Sequence, residues 1–374
     1  MARRFNLINR EPLLLAGLTV VIVAFFSLTT IAAHAYHRKQ EQFAAQWYGR
    51  GEEALKQSHP AEAVEDFRNA LAYSRDNDVY RLRLAQALMA DHRPQEARAH
   101  LVSLWEKEPG DGTLNLELAR MAVMWGDTAQ AIRYYHAAIY GVWPDEPAEH
   151  RWQIRFELSE YLLQRHTPQD IKDAQAELVA LAAELPPQDA DGQTRLGPLL
   201  LQAGLYARAL TAFRNALADE PNLLPALEGA GEAAFRLGDY QTARHYLLPV
   251  VAQKPNDEHA TEMLNLSELV LKLDPFARGL ASRERALRAV DDFRFALTRA
   301  SKCVSPASDM SSLLQQADSR KASVRENLLA RNPDQLEAIV DLAFKLEKAA
   351  AHCGPPRPED KALVLLAQRR EASQ

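Results

Sequence analysis

A small residue returns on a fixed beat in this chain, and that beat limits what the chain can fold into. Ala63, Ala97 and Ala131 are equally spaced. Gly51, Ala85 and Ala119 keep the same step, and so do the bulky Phe67, Leu101 and Tyr135. The pattern resumes at Gly197, Ala209 and Phe213 and returns one equal step on at Gly231, Ala243 and Leu247. A period of about 34 residues marks a helix-turn-helix array in which each unit buries its apolar face against its neighbours. A small residue lets two helices cross closely, and the large one fills the gap beside it. Breakers at His59-Pro60, Arg93-Pro94, Gly126-Asp127, Gly204 and Gly238-Asp239 mark the turns. Pro109, Pro221 and Pro255 close units because proline cannot continue a helix.

The units resemble the tetratricopeptide repeat (TPR), whose motif is W-x2-L-G-x2-Y, then A-x3-F, then P. The first reads Trp47-x2-Arg50-Gly51-x2-Ala54, then Ala63-x3-Phe67. The second reads Arg81-x2-Leu84-Ala85-x2-Leu88, then Ala97-x3-Leu101 and Pro109. The third reads Asn115-x2-Leu118-Ala119-x2-Ala122, then Ala131-x3-Tyr135. The fifth reads Leu196-Gly197-x2-Leu200, then Ala209-x3-Phe213 and Pro221. The sixth reads Leu227-x2-Ala230-Gly231-x2-Ala234, then Ala243-x3-Leu247 and Pro255. The resemblance implies an all-α chain, a right-handed TPR-like α-solenoid of about six units over residues 44–257. The fourth unit, marked by Ser159, Ala174 and Leu178, is irregular. Ala119 to Ser159 overshoots the regular step, and Ser159 to Ala174 is longer than the matching stretch from Ala119 to Ala131. A long loop around Trp143, Pro144 and Pro147 and a longer turn at His166-Thr167-Pro168 are the expected sites of the extra residues, more simply as tolerated insertions than as a binding face. Pro198 falls inside a helical period and predicts a kink or a late helix start.

Residues 1–12 form a basic tail with Arg3, Arg4 and Arg10. Residues 13–36 hold no Asp, Glu, Lys or Arg, and at about 1.5 Å per residue they span a hydrocarbon core of roughly 30 Å. They are read as one transmembrane helix. A cleaved signal peptide is the rival, with Ala33-His34-Ala35 as a small-x-small cleavage site. The apolar run is longer than a usual signal core, which favours an uncleaved anchor. Arg38, Lys39 and Arg50 after the run nearly balance the arginines before it, so charge sets orientation only weakly. The short tail tips the reading towards a body outside the cytoplasm, in a periplasm-like space. Residues 37–43 read as a polar linker that continues as helix.

Past Asp257 the beat fades. Residues 258–374 read as a C-terminal helical cap, with helices expected at Glu258–Leu273, Arg283–Arg299, Asp334–Ala351 and Glu359–Arg370. A terminal repeat needs such a cap with a polar outer face. Cys303 and Cys353 are the chain's two cysteines. Paired, they would close a loop worth roughly 3–4 kcal/mol and persist only in an oxidising compartment. Unpaired, they would be small buried hydrophobes. Both readings stay open.

The formal net charge is −6, which argues against a general nucleic-acid footprint. Phosphate-binding glycine loops, H-E-x-x-H, C-x-x-C and G-x-S-x-G are missing. The eleven histidines include His59, His92, His100, His136, His150, His166, His245 and His259, scattered without partners at ligand spacing. No catalytic residue, cofactor or metal site is expected, and the chain does not read as an enzyme.

In TPR proteins the first helix of each unit lines a groove that holds partner segments. By register, the resemblance places Tyr48, Glu52, Leu82, Gln86, Met89, Leu116, Arg120, Phe156, Glu160, Leu163, Glu232 and Phe235 on that face. Grooves of the family that grip a C-terminal carboxylate use a Lys/Asn/Arg clamp. The matching positions here hold Tyr48, Glu52, Leu82 and Gln86, so that clamp is missing. A mixed groove with Leu, Met and Phe suits an apolar or amphipathic protein segment. The chain therefore reads as a membrane-anchored interaction scaffold or assembly factor. A cytoplasm-facing adaptor of reversed topology and a non-catalytic accessory subunit of a membrane enzyme complex are the alternatives.

Overall fold

A computed structural model describes residues 10–303 and 308–372. Among these the chain forms eighteen α-helices. The chain divides into two compact units, Met1–Arg155 and Phe156–Gln374.

In the first unit α1 (Arg10–Lys56), α2 (Pro60–Tyr73), α3 (Asp78–Ala90), α4 (Pro94–Trp105), α5 (Gly112–Met124) and α6 (Thr128–Ile139) pair as successive hairpins, followed by α7 (Pro147–Gln164). The helix starts follow from the sequence. Pro60 and Pro94 fix the first turn of α2 and α4. Asn77, Asp111 and Asp127 cap α3, α5 and α6 by accepting backbone N–H groups of Tyr80, Leu114 and Gln130. The crossing logic of the beat holds: a Cβ at Gly51 would stand 2.7 Å from the Phe67 ring. Helix α1 is continuous through residues 37–43 into the first repeat, where Ala44, Gly51 and Ala54 are buried. The expected basic tail falls mainly on residues 1–9, outside the described ones, and Arg10 already opens α1.

The two insertions lengthen helices, which corrects the expected long loop and longer turn. Helix α7 begins twelve residues before Ser159, where α5 begins seven before Ala119. The segment 140–146 is only one residue longer than 106–111. It is also tied down. Val142 exchanges backbone hydrogen bonds with Gly110 and Gly112 at 2.8 and 3.0 Å, and Trp143 donates to the Ala138 carbonyl at 2.9 Å and stacks on His150.

The second unit continues with α8 (Pro168–Glu184), α9 (Ala190–Gln202), α10 (Tyr206–Asp219), α11 (Leu224–Arg236), α12 (Tyr240–Gln253) and α13 (Glu258–Leu273). The turn at 165–167 has three residues, like those at 57–59 and 91–93, and the extra residues extend the start of α8 instead. Phe213 is held between Gly197 and Gly229, where added Cβ atoms would stand 2.3 and 2.2 Å from its ring. Pro198 lies inside α9 with its side chain exposed, and α9 starts eight residues earlier at Ala190, so there is no late start.

One backbone position repeats through both units. Ser58, His92, Gly126, His166, Gly204 and Gly238 all have φ between 55° and 77°, seven residues after the small residue of each first helix. This left-handed residue ends the helix, and glycine takes it without a Cβ penalty.

The remaining helices are α14 (Ser282–Ala300), α15 (Ser308–Arg320), α16 (Glu326–Leu329), α17 (Pro333–Ala349) and α18 (Pro358–Glu371). With α13 they enclose a core of Val270, Leu273, Phe293, Ile339, Val340, Leu363 and neighbours. Helices α15 and α16 go beyond the expected set. Cys303 and Cys353 form a disulfide, with Cα atoms 4.9 Å apart, that joins the end of α14 to the segment before α18. Beside it the buried Arg299 pairs with the buried Glu347 and lies 3.9 Å from Asp360. Asp360 accepts from the Arg357 backbone at 2.8 Å and from its guanidinium at 2.7 Å. Burial opposes its ionisation, but the Arg357 hydrogen bonds win and hold the carboxyl below its ordinary value. Glu347 goes the other way: burial outweighs Arg299 and raises it.

Asp292 sits in the middle of the buried stripe of α14, fully enclosed, and neither carboxylate oxygen has a hydrogen-bond partner. Burial, then Asp291 and Asp274, push its carboxyl well above the usual range, against the pull of Arg288.

Two outcomes follow from these positions. His92→Gly relieves a left-handed non-glycine turn and should raise unfolding stability by about 1 kcal/mol or somewhat less, read from the urea midpoint. A raised folded-state pKa means that Asp292 favours folding below its unfolded pKa and loses that contribution as pH rises through its folded value. Thermal melts should therefore show Asp292→Asn more stable than the parent at pH about 8, with the gap closing as pH falls towards about 4.

Candidate partner-binding surface

In the first unit the first helices α1, α3 and α5 carry the expected inner face, and side chains join them in a ladder. Tyr48 stacks on Tyr80 with ring centroids 4.8 Å apart and leans on Phe67 at 5.7 Å. Glu52 pairs with Arg83 at 3.0 Å. Arg83 donates to the Gln86 side-chain oxygen at 2.9 Å, and Gln86 donates in turn to Glu117 at 2.9 Å. Arg120 reaches the same Glu117 oxygen at 3.5 Å. Tyr48, Leu82 and Met89 are partly buried and packed on the core of this unit, and Leu116 is half-buried. This face thus carries an aromatic pair and a row of polar and charged groups. The partly exposed Glu52–Arg83 pair is worth about 0–1 kcal/mol, whereas the Glu117 carboxylate that Gln86 and Arg120 share is buried.

In the second unit Glu160 takes two donors from Arg195, at 2.8 and 3.2 Å. The Arg195 guanidinium lies over the Phe156 ring at 4.2 Å from its centroid. Phe156 and Leu163 are each only 2 % exposed. This corrects their placement in an open groove: both side chains turn into the packing of α7. Glu232 faces Arg236 at 3.4 Å and His259 at 3.9 Å. Phe235 is half-buried, meets Tyr240 edge-on at 5.5 Å and packs against the C-terminal core, so part of its surface is occupied.

The sequence reading missed Tyr80, Arg83, Glu117 and Arg195. A signal existed for two of them. Arg83-x2-Gln86 and Glu117-x2-Arg120 are spaced three apart, which puts each pair on one helix face.

A helix-turn-helix array with this register, this small-to-large crossing and this inner row of first helices defines a class of repeat protein. Residues 54–112 and 194–258 each match a family model described as tetratricopeptide repeat, and the chain carries tetratricopeptide repeats. Similar solved structures include YrrB, described as a TPR protein with an unusual peptide-binding site. It is 17 % identical over 53 % of this chain and 97 % of that one, with a TM-score of 0.41. PilW, described as a widely conserved type IV pilus biogenesis factor, is 17 % identical over 60 % of this chain and 99 % of its own, with a TM-score of 0.43. Pseudomonas aeruginosa pilF is 14 % identical over 60 % and 97 %, with a TM-score of 0.43.

The burial of Phe156 and Leu163 has a direct consequence. Phe156→Asp should lower stability by about 3 kcal/mol or more through an unpaired buried charge, visible as a lost or broadened thermal transition by circular dichroism. Glu52→Gln on the open face should shift it by less than about 1 kcal/mol.

Proposed function

We propose that the chain is a membrane-held scaffold that gathers a partner polypeptide on the inner face of its repeats. The observation that carries this reading is α1. Its large apolar side chains from Leu14 to Ile31 are 57–72 % exposed, yet the same unbroken helix continues into the first repeat. Leu14 to Tyr36 measures about 34 Å at 1.5 Å per residue, enough for a hydrocarbon core. The polar groups in it turn back on the helix. The hydroxyls of Thr19, Ser27, Thr29 and Thr30 donate to the carbonyls of Leu15, Val23, Phe26 and Ser27. That arrangement satisfies them where water is missing. Ala33-His34-Ala35 lies within the helix, which weighs for a retained anchor over a cleaved leader. The anchor raises the local concentration of whatever the repeats hold.

The disulfide between Cys303 and Cys353 supports a body in an oxidising compartment, outside the cytoplasm. Arg38 and Lys39, just past the apolar run, speak for the reverse orientation and a cytoplasm-facing adaptor. The disulfide is the stronger argument. With Phe156 and Leu163 inside, the partner that the inner face fits is a polar segment of mixed charge with an aromatic contact at Tyr48 and Tyr80, in place of a plain apolar helix.

Photocrosslinking amino acids placed at Glu52, Arg120, Glu65 and Glu177 test the reading in cells. Glu52 and Arg120 should give a discrete crosslinked polypeptide in the membrane fraction, and Glu65 and Glu177, on the second helices α2 and α8 that form the other row, should not. Equal yields from both rows, or none from the inner row, would contradict it.

A further inference from the structure

The C-terminal helix α18 lies against inner-face positions of the last repeats. Counted from Gly231, the inner positions that hold Glu228, Glu232 and Phe235 recur one repeat step on as Glu262, Leu266 and Leu269. Lys361 of α18 pairs with Glu262, Leu266 is buried, and Leu269 and Phe235 pack on the core that contains Leu363 and Leu366. Helix α18 is held there firmly by its Asp360 cap network and by Arg369 to Asp274 at 3.3 Å.

Between α18 and the last full repeat lies an open cleft of about 610 Å³. That is within the roughly 300–1,000 Å³ typical of ligand sites. Tyr206, Phe235 and Tyr240 give it three aromatic walls and Leu365 an aliphatic one. Arg236 lines it from the repeat side and Arg369 from α18, and no carboxylate residue is among its lining. Their acidic partners, Glu232 and Asp274, stand outside it. In a chain of net charge −6, a cleft whose charged lining is cationic selects for negative charge. The Tyr240 phenol is a neutral hydrogen-bond donor, and burial raises its pKa further.

We propose that this cleft is a second docking site, for a short partner segment in which an aromatic or leucine side chain is flanked by carboxylates. The apolar side chain would fill the space between Phe235, Tyr206 and Leu365. The flanking carboxylates would meet Arg236 and Arg369, with guanidinium forks suited to that geometry. The proposal rests on the reading of the inner face as a partner-binding surface and extends it to a part of that face built by α18.

The test uses the full chain in lipid nanodiscs and a peptide with fluorescein on its N-terminal amine, fluorescein-Ala-Glu-Phe-Leu-Glu-Ala-amide, beside its twin with both Glu replaced by Gln. Fluorescence anisotropy should show saturable binding of the acidic peptide below about 1 mM. The Gln twin should bind about tenfold more weakly, the loss expected for a charge-assisted hydrogen bond. Arg236→Gln, at a half-exposed side chain whose contact with Glu232 is a long 3.4 Å, should remove that difference without lowering the melting temperature. Equal binding of the two peptides, no saturation by about 1 mM, or an unchanged preference in Arg236→Gln would overturn the cleft assignment. If crosslinking from Glu52 and Arg120 survives that outcome, only the cleft is lost and the scaffold reading stands.

Discussion

The repeats depend on one kind of contact, a bulky side chain laid across a neighbour whose side chain is small or missing. Phe67 occupies the space at Gly51, and Phe213 fills the space at both Gly197 and Gly229. Leu247 does the same at Gly231, 2.6 Å from where a Cβ would stand. Such contacts set how closely two helices approach, and hence how the next hairpin is presented. They cannot be loosened locally, because interiors packed at crystal density transmit any added volume. The inner row of charges in the first unit is a consequence: Glu52, Arg83, Gln86 and Glu117 meet because the crossings behind them fix the helix spacing.

This dependence explains what could be read from the chain. The small-to-large beat is local and periodic, so the helical hairpins of the repeats and most of their turns were legible, but not the left-handed turn residue that Ser58, His92 and His166 supply. Helix α13 lies at Glu258–Leu273, as the spacing predicts. Two further things were not legible. The extra residues of the fourth unit lengthen α7 and α8, because Pro147 and Pro168 can start a helix as readily as they can interrupt one. The direction in which an inner-register residue points also depends on neighbours that the period does not encode. Phe156 and Leu163 share the register of Tyr48 and Leu55, yet both are buried. Helix α15 was within reach, since Met310, Leu314 and Ala317 repeat at helical spacing, but they stand in a polar segment that lacks the repeating beat.

The C-terminal helices work by different means. They enclose charges as well as apolar groups: Arg299 and Glu347 pair in the core, with Asp360 and Arg357 alongside. A buried pair of this kind adds little net stability over an apolar core but is costly to break, by about 3–5 kcal/mol when one partner is removed. The disulfide sits at the same junction and keeps the segment before α18 beside the end of α14. Covalent and ionic constraints thus hold in place the helix that closes the inner face of the last repeats. Such a bond persists in an oxidising environment, the one proposed above for the body.

That requirement gives the most direct test of a scaffold held at a membrane with its body outside the cytoplasm. Intact cells would be treated with a membrane-impermeant thiol reagent, with and without prior reduction, and labelling of Cys303 and Cys353 followed in the membrane fraction. The account predicts label only after reduction, on a full-length protein that stays with the membrane. Label that appears only once the cells are lysed, whether or not reductant is added, would place the body in the cytoplasm and contradict it.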